Sequence, residues 1–325
     1  MPAHNAAATI QASLASALEQ TEPSLEVLVI DDASTDHTVE LVATMAARDS
    51  RIRLIRSDVN RGPGAARNRG LDAARGHWIA LLDADDAYFP ERLARLLTIG
   101  EQNQVEIVAD NKLVCPEDRS CEPVPMFSRA HFPRAGLISA AAFVLGNAGK
   151  SRKDRVSLGF MQPIIRRDFL ERNSIRYNEC SRFGEDYMLY LRCLVRGARW
   201  WYTPEVLHRY TVRAGSLTEK QSAADLQRIR QLETSLLRDD PAVAADPALA
   251  RALRRHRTKI DRDYYYRAFT DAVKARAASQ ALRLLFETPS GFRHILRESA
   301  YQAPIIVRKA LRGGYRTQRK GARRT

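Results

Sequence analysis

The sequence predicts an α/β fold in which a mostly parallel sheet is flanked by helices and followed by a helical C-terminal region. Three observations carry this prediction. Short apolar runs, at 25–30 and 78–82 among others, alternate with helical periodicity over roughly the first hundred residues, a pattern typical of βα units with right-handed crossovers. Acidic residues follow two of these runs directly. From about residue 222 onward the pattern is helical.

Each early element follows from a local signal. Asn5 is a suitable cap for a helix in which Ile10, Leu14 and Leu18 recur every fourth residue. Pro90 suits the first turn of a later helix that ends near residue 100. Between and after these helices we predict strands at 25–30, 52–56, 77–82 and 105–109, and helices at about 36–47 and 64–74.

The 325 residues are enough to bury a sizeable core. We predict a sheet-containing domain at 1–218, whose half at 110–218 faces the second substrate, then a helical region at 219–300 and a basic tail at 301–325. Four cysteines show no paired metal-ligand spacing, so a structural zinc site is not expected. No stretch approaches the roughly 20 apolar residues of a membrane span.

The chain is basic, with a formal net charge of +14 and an isoelectric point near 10.0. Eight Lys or Arg residues and no acid lie in the tail at 301–325, and in its first half they are mixed with the apolar residues Ala303, Ile305, Ile306, Val307, Ala310 and Leu311. This pattern favours an anionic membrane surface as partner, and a cytoplasmic protein held peripherally on the plasma membrane. A solvated tail is the alternative, and nucleic acid is not expected because no recognised motif for it is present.

Three acidic clusters stand out in this basic chain. They are Asp31-Asp32-Ala33-Ser34-Thr35-Asp36, Asp83-Ala84-Asp85-Asp86 and Gly184-Glu185-Asp186. The first two lie at the predicted carboxyl ends of strands, where open α/β sheets bind ligands. The loop that contains Asn60 opens on the same edge of the sheet. We therefore predict a metal and nucleotide site there.

The order of the motifs is more informative than any one of them. Along the chain they read Pro2-Ala3-His4-Asn5, Asp31-Asp32-x-Ser34-x-Asp36, Asn60-x-Gly62-x-x-x-Ala66-Arg67-Asn68-x-Gly70, Asp83-x-Asp85-Asp86 and Gly184-Glu185-Asp186-Tyr187. This series resembles the family 2 inverting glycosyltransferases of the Rossmann-like GT-A fold over residues 2–218. The chain is similar in particular to the bacterial exopolysaccharide glycosyltransferases of the succinoglycan type.

The resemblance implies a set of donor-binding residues. Asp32 is expected to accept a hydrogen bond from uracil, and Asp83 and Asp85 to reach the ribose and a divalent cation, Mg²⁺ or Mn²⁺, which prefer oxygen ligands. Arg67 is expected to approach the nucleotide, with a packed surface arginine as the alternative. The implied donor-binding set is Pro2, Ala3, His4, Asn5, Asp31, Asp32, Asn60, Gly62, Arg67, Asp83, Ala84, Asp85, Arg213 and Ser216.

His208 is implied as a third metal contact beside Asp83 and Asp85, and a structural histidine is the alternative reading. Asp186 is implied as the catalytic base that takes the proton from the acceptor hydroxyl. Glu185 is expected to raise the pKa of Asp186 by its neighbouring negative charge. The alternative for the Glu185-Asp186 pair is an acidic helix N-terminus.

The expected reaction moves a sugar from a UDP-sugar, UDP-glucose or a similar hexose donor, to a hydroxyl of a lipid-linked glycan acceptor. A nucleotidyltransferase of similar fold and a non-catalytic basic nucleic-acid-binding protein are the alternatives, and an inactive scaffold is a third. The family has an apolar strand directly before the P-x-H-N element, whereas Met1 abuts Pro2 here. The sequence thus predicts either an upstream start or a weakened sheet.

Overall fold

The computed structural model describes residues 1–118, 121–128, 132, 134–148, 158–213, 222–286, 292–293 and 295–297. The chain forms two compact units, Met1–Gln221 with Gln231–His256, and Ser222–Arg230 with Arg257–Thr325. The predicted domain limits at 218 and 300 stay predictions.

The strands are β1 (Pro2–Ala3), β2 (Val27–Asp32), β3 (Ile52–Ser57), β4 (Trp78–Ala80), β5 (Ala87–Tyr88), β6 (Ile107–Pro116), β7 (Val124–Pro125), β8 (Gly136–Ile138), β9 (Ile164–Arg166) and β10 (Trp200–Val212). The helices are α1 (Ile10–Leu18), α2 (Thr38–Ala46), α3 (Pro63–Ala73), α4 (Arg92–Asn103), α5 (Ala140–Asn147), α6 (Arg167–Arg172), α7 (Glu185–Val195), α8 (Ala223–Asp239), α9 (Pro241–Ala245), α10 (Pro247–Lys274) and α11 (Ala278–Phe286). A 3₁₀ turn covers Leu158–Phe160.

Two sheets take the place of the single sheet that the sequence predicts. The first has the order β1-β2-β3 and is parallel. The second has the order β4-β9-β6-β10-β5, with β7 on β6 and β8 on β10, and only its β6–β10 pair is parallel. β7 returns to β6 after seven residues, too few for the crossover that a parallel pair needs. The α/β class is confirmed, while the second sheet is mixed and not mostly parallel.

The core of the first sheet is built by the predicted helical periodicity. Ile10 and Leu14 are fully buried and pack with Val29 of β2 and Val42 of α2. Each such side chain stabilises the fold by about 1.5–3 kcal/mol relative to an exposed position. This packing fixes β2, and with it the acidic residues at the carboxyl end of β2.

A cavity lies beside the first sheet, next to the N-terminal residue Met1. The α-amino group of Met1 donates to the carbonyl of Leu28 at 2.8 Å, and burial lowers the pKa of this amine to about 5. A cavity of about 970 Å³ is lined by Met1, by Leu28 and Ile30 of β2, and by 78–81. None of the predicted donor-binding carboxylates lines this cavity. The cavity is a gap between β2 and β4, and two residues of the predicted donor-binding set, Pro2 and Arg67, also line it.

The helical C-terminal region is confirmed. In the second unit, Tyr265, Ala272, Ala281, Leu284 and Ile295 form a buried apolar cluster. None of the described helices is long and apolar enough to cross a membrane.

Candidate active site

The P-A-H-N element and the loop after β2 are joined by hydrogen bonds. The backbone N–H of Asn5 donates to Ser34 Oγ at 2.9 Å, and Asn5 Oδ1 accepts from the N–H of Thr35 at 2.8 Å. His4 Nδ1 lies 2.9 Å from the carbonyl of Asp32. Asn5 has a φ of 51°, in the left-handed region that asparagine tolerates better than most residues. The structure thus brings together two motifs separated by nearly thirty residues.

The two aspartates at the end of β2 have different surroundings. Asp32 Oδ1 accepts from the N–H of Arg61 at 2.9 Å, and Oδ2 accepts from the N–H of Gly62 at 2.7 Å. Asp31 Oδ2 accepts from the N–H of Ser34, while the buried Oδ1 has no hydrogen-bond partner among the described residues. Buried polar atoms are nearly always hydrogen-bonded, so this oxygen is available to a ligand donor. Of the two aspartates, only Asp31 has a carboxylate oxygen without a hydrogen-bond partner among the described residues.

The N-x-G motif forms the entry to α3. Asn60 lies in the loop before α3, and Gly62 takes a φ of 90°, which a residue with a side chain adopts only with strain. Pro63 occupies the first helical turn. A Cβ on Gly64 would lie 2.8 Å from the carbonyl of Asn178, so α3 approaches that backbone closely. The glycines therefore fit the turn and the packing.

Arg67 is the central cation of the site. Its side chain is 6% exposed. Nη2 lies 3.0 Å from Asp83 Oδ1, and Nη1 lies 2.7 Å from Glu185 Oε1 and 3.6 Å from Asp186 Oδ1. The alternative of a packed surface arginine is therefore wrong. The guanidinium joins three carboxylates that come from two distant segments of the chain.

Asp83 has a second partner that the sequence analysis did not find. Its Oδ2 accepts from Gln162 Nε2 at 2.6 Å, and Gln162 Oε1 accepts from Lys112 Nζ at 2.5 Å. Burial raises the pKa of Asp83, but the charges of Arg67 and Lys112 outweigh it and hold this pKa below its ordinary value. Gln162 and Lys112 belong to no local motif. The one sequence feature that indicates a buried polar contact here is Lys112 itself, a lysine within the strand-like run of β6.

Asp85 fits a cation ligand. Its side chain is 40% exposed, and its oxygen lies 3.9 Å from Arg213 Nε. Burial raises the pKa of Asp85, and the charge of Asp83 adds to the rise. A bound cation would relieve this unfavourable charge, and two carboxylates together with diphosphate oxygens and water are ligands that Mg²⁺ accepts. Within the described residues, no three His, Cys, Asp or Glu side chains converge as a complete metal site.

His208 lies in the interior. Its Nε2 is 3.1 Å from Asp86 Oδ2, its ring meets that of Tyr88 edge-on at 5.2 Å, and burial lowers its pKa well below the ordinary value. The other oxygen of Asp86 accepts from the N–H of Thr211 at 3.0 Å. These contacts are those of the structural alternative, and a metal role for His208 stays a prediction. Ser216 lies outside the described residues.

Asp186 lies in the first turn of α7, after Gly184, whose φ is 75°. Burial raises the pKa of Asp186 to about 7; Arg67 opposes the rise, while Glu185 and Asp83 add to it. The expected effect of Glu185 is thus present, although burial contributes more. The buried Oδ1 of Asp186 accepts no hydrogen bond from the described residues. A carboxylate in this state is suited to take up a proton near neutral pH.

Comparison with known proteins identifies the family. Residues 1–138 match the family described as Glycosyl transferase family 2. The chain is 35% identical over 297 residues to succinoglycan biosynthesis protein ExoO of Rhizobium meliloti, covering 90% of this chain and 82% of ExoO. The chain belongs to glycosyltransferase family 2. This glycosyltransferase is also 34% identical to ExoU of the same organism, over 90% of its own length and 84% of ExoU.

The fold of this glycosyltransferase is shared with a solved structure. It superposes on S. aureus TarS 1–349, crystallised in complex with UDP-GlcNAc, with a TM-score of 0.64 at 18% identity, covering 93% of this chain and 90% of that one. The predicted GT-A fold is confirmed. At this identity the likeness concerns the fold alone.

Proposed function

We propose that this family 2 enzyme is an inverting glycosyltransferase that moves a hexose such as glucose from a UDP-sugar to a hydroxyl of a lipid-linked glycan, in the synthesis of an exopolysaccharide or another cell-surface polysaccharide. The observation that carries the proposal is the Arg67 cluster, in which Asp83 and Asp186 share one buried guanidinium. The names of ExoO and ExoU support the polysaccharide, and the ligand of TarS supports the donor class.

Asp186 is the base in this proposal. It takes the proton from the acceptor hydroxyl while that oxygen forms a bond to the anomeric carbon and the bond from that carbon to the diphosphate breaks. Attack from the face opposite the leaving group inverts the anomeric configuration and gives a β-linkage from an α-linked donor. Glu185 bonds directly to Arg67 and is ion-paired, so Asp186 is left as the carboxylate that exchanges the proton.

The donor nucleoside is proposed to lie against β1 and the loop after β2. Pro2, Ala3 and His4 form its floor, and Asp31 and Asp32 lie at its edge. Asp31 is proposed to join Asp32 in the uracil contact, because the buried Oδ1 of Asp31 has no hydrogen-bond partner among the described residues.

Asp83 and Asp85 would hold the divalent cation, and the cation, when bound, offsets the negative charge that develops on the departing diphosphate. Arg213, 3.9 Å from Asp85, is placed to contact the same phosphates. Membership of the family sets aside the nucleotidyltransferase and nucleic-acid-binding alternatives, neither of which needs a base beside Arg67.

The tail at 301–325 is proposed to hold the enzyme on the cytoplasmic face of the plasma membrane, where a lipid-linked acceptor lies. Those residues are outside the described part of the chain, so the proposal rests on their charge alone.

The donor class can be tested without a known acceptor. Thermal unfolding of the enzyme should be measured with UDP-glucose, UDP-galactose, UDP-GlcNAc and GDP-mannose, each with Mn²⁺ and with EDTA, because a bound ligand raises the melting temperature. We expect stabilisation by a UDP-hexose that requires Mn²⁺. Stabilisation by GDP-mannose alone would overturn the donor assignment.

A further inference from the structure

Gln162 connects the first aspartate of the D-x-D pair to the interior of the protein. Its side chain is 4% exposed and lies between Asp83 and Lys112, with hydrogen bonds of 2.6 and 2.5 Å. Asp83 is separated from Gln162 by 79 residues and Lys112 by 50. The folded chain, and no sequence motif, creates this contact.

The orientation of the Gln162 amide is determined by its two partners. An ammonium group only donates hydrogen bonds and an ionised carboxylate only accepts them. The Gln162 oxygen must therefore face Lys112, and the NH₂ group must face Asp83. Lys112 thus fixes the direction in which Gln162 donates.

The backbone of Gln162 is held as firmly as its side chain. Its carbonyl accepts from Arg92 Nη2 at 2.8 Å, and Arg92 forms a fully buried ion pair with Asp110 at 2.8 Å. Gln162 has a φ of 48°, in the left-handed region that non-glycine residues rarely adopt. Such a conformation persists where surrounding contacts over-determine it, and it concentrates at functional sites.

Asp83 is consequently held from both sides, by Arg67 on Oδ1 and by Gln162 on Oδ2. Two fixed donors leave the carboxylate little freedom to rotate before a ligand arrives. Preorganised ligands reduce the ordering that binding would otherwise require.

We propose that Gln162 is a positioning residue, oriented by Lys112, which presets the Asp83 carboxylate for the cation and diphosphate of the donor. This inference rests on the proposed function, because it assumes that Asp83 contacts the donor. Gln162 would thus act in donor binding and not in the proton transfer at Asp186.

The test uses two substitutions and a matched control. Gln162→Met keeps the length of the side chain and removes both hydrogen bonds. Gln162→Glu keeps the contact with Lys112 but turns an acceptor towards Asp83. Gln104→Met is the control, since Gln104 has a similar φ of 52° and is exposed at the end of α4. Affinity for UDP with Mn²⁺ is measured by titration calorimetry on the full chain, and melting temperature is measured in parallel.

We expect Gln162→Met to weaken UDP–Mn²⁺ binding roughly 10- to 100-fold, the size of a lost hydrogen bond to a charged group, and Gln162→Glu to weaken it more. The donor KM should rise in proportion while kcat at saturating donor stays within about three-fold. Gln104→Met should bind as the wild type does. A merely structural role would lower the melting temperature and leave affinity within about two-fold, and that result would overturn the inference.

A double-mutant cycle tests whether Gln162 acts through Asp83. On the Asp83→Asn background, Gln162→Met should change UDP affinity much less than it does on the wild type, because coupled residues are not additive. Full additivity would overturn the positioning role. Failure of the proposed function is distinguishable, because the wild type itself would then bind no UDP with Mn²⁺.

Discussion

At the scale of single residues, the site is a balance of buried charges around one guanidinium. Arg67 holds Glu185 and Asp83 by direct hydrogen bonds, whereas its contact with Asp186 is longer, at 3.6 Å. The carboxylate that is least satisfied is therefore the one whose pKa rises. Because one arginine pairs with three carboxylates, removal of the Arg67 side chain would leave all three without their counter-charge. An unpaired buried charge is strongly destabilising.

Activity should depend on the ionisation of Asp186. Burial raises its pKa to about 7, and a base must be deprotonated to act, so kcat should rise with pH and level off above about 7. The stability contribution has the opposite sign: a pKa raised in the folded state favours folding at low pH, and this contribution is lost as pH rises from about 4 to 7. A rate profile that is flat between pH 5.5 and 8 would contradict the assignment.

Metal dependence follows from Asp83 and Asp85. Asp85→Asn removes one anionic oxygen ligand, so UDP affinity in Mn²⁺ should fall by at least about ten-fold, while the weaker affinity in EDTA should not change. Calorimetric titrations under both conditions measure this difference. Asp168→Asn is a suitable control, since Asp168 is a half-exposed surface acid. Undiminished transfer in EDTA would rule out the metal role.

At the scale of elements, the sequence predicts the helices and strands that have a clear hydrophobic period and misses the shortest strands. The early helices and strands lie within a few residues of their predicted positions, since buried runs and caps identify them. The exception is the strand predicted at 105–109, because β6 continues to Pro116 through the polar residues Asp110, Asn111 and Lys112. β5, β8 and β9 have two or three residues each and no period to read. The same limit applies to the site: Asp83 and Asp186 are visible in motifs, whereas Gln162 and Lys112 become neighbours only when β6 pairs with β9.

The gap beside β1 makes a prediction about the first sheet. A four-residue extension before Met1, in which every second residue is apolar, would lengthen β1 along β2 into the cavity. It would also replace the buried amine by an amide. Burying two of these side chains at roughly 1.5 kcal/mol each adds about 3 kcal/mol, which at roughly 2–4 °C per kcal/mol raises the melting temperature by about 6–12 °C. An extension of equal length made of glycine and serine is the control.

The buried amine adds a pH signature to the same comparison. Because its pKa falls from 8.0 to about 5 on folding, the unextended chain should lose stability as pH falls from 8 to 5. Either extension should remove that part of the loss, since both replace the amine by an amide, and the apolar extension should in addition melt at a higher temperature than the glycine and serine one. Equal melting temperatures for the two extensions at every pH would contradict this account of the gap.

At the scale of the whole molecule, the acidic site residues and the basic tail are far apart in the sequence. The acidic residues of the site lie in the first unit, and the basic tail lies at the far end of a chain of net charge +14. Composition alone predicted a partner of negative charge, and the motifs were needed to predict a nucleotide sugar. Neither the composition nor the motifs predict the acceptor, because no motif in the sequence is specific for an acceptor.

Membrane attachment should reside in the tail. Its eight basic residues would each contribute about 1 kcal/mol near an anionic leaflet. The full chain should therefore sediment with anionic vesicles and be released as salt rises, whereas a form ending at Ser299 should remain in solution. Equal binding by both forms, or binding to neutral vesicles, would leave the tail as a solvated end.

The central claim is that Asp186 is the base of an inverting transfer from a UDP-sugar. Its most direct test follows the anomeric configuration of the product by NMR, using ¹³C-labelled UDP-glucose, Mn²⁺ and a lipid-linked glycan acceptor, with the wild type and with Asp186→Asn. We predict a β-linked product from the wild type and a rate at least about 100-fold lower for Asp186→Asn, with UDP affinity unchanged. An α-linked product, or an undiminished rate for Asp186→Asn, would contradict the claim.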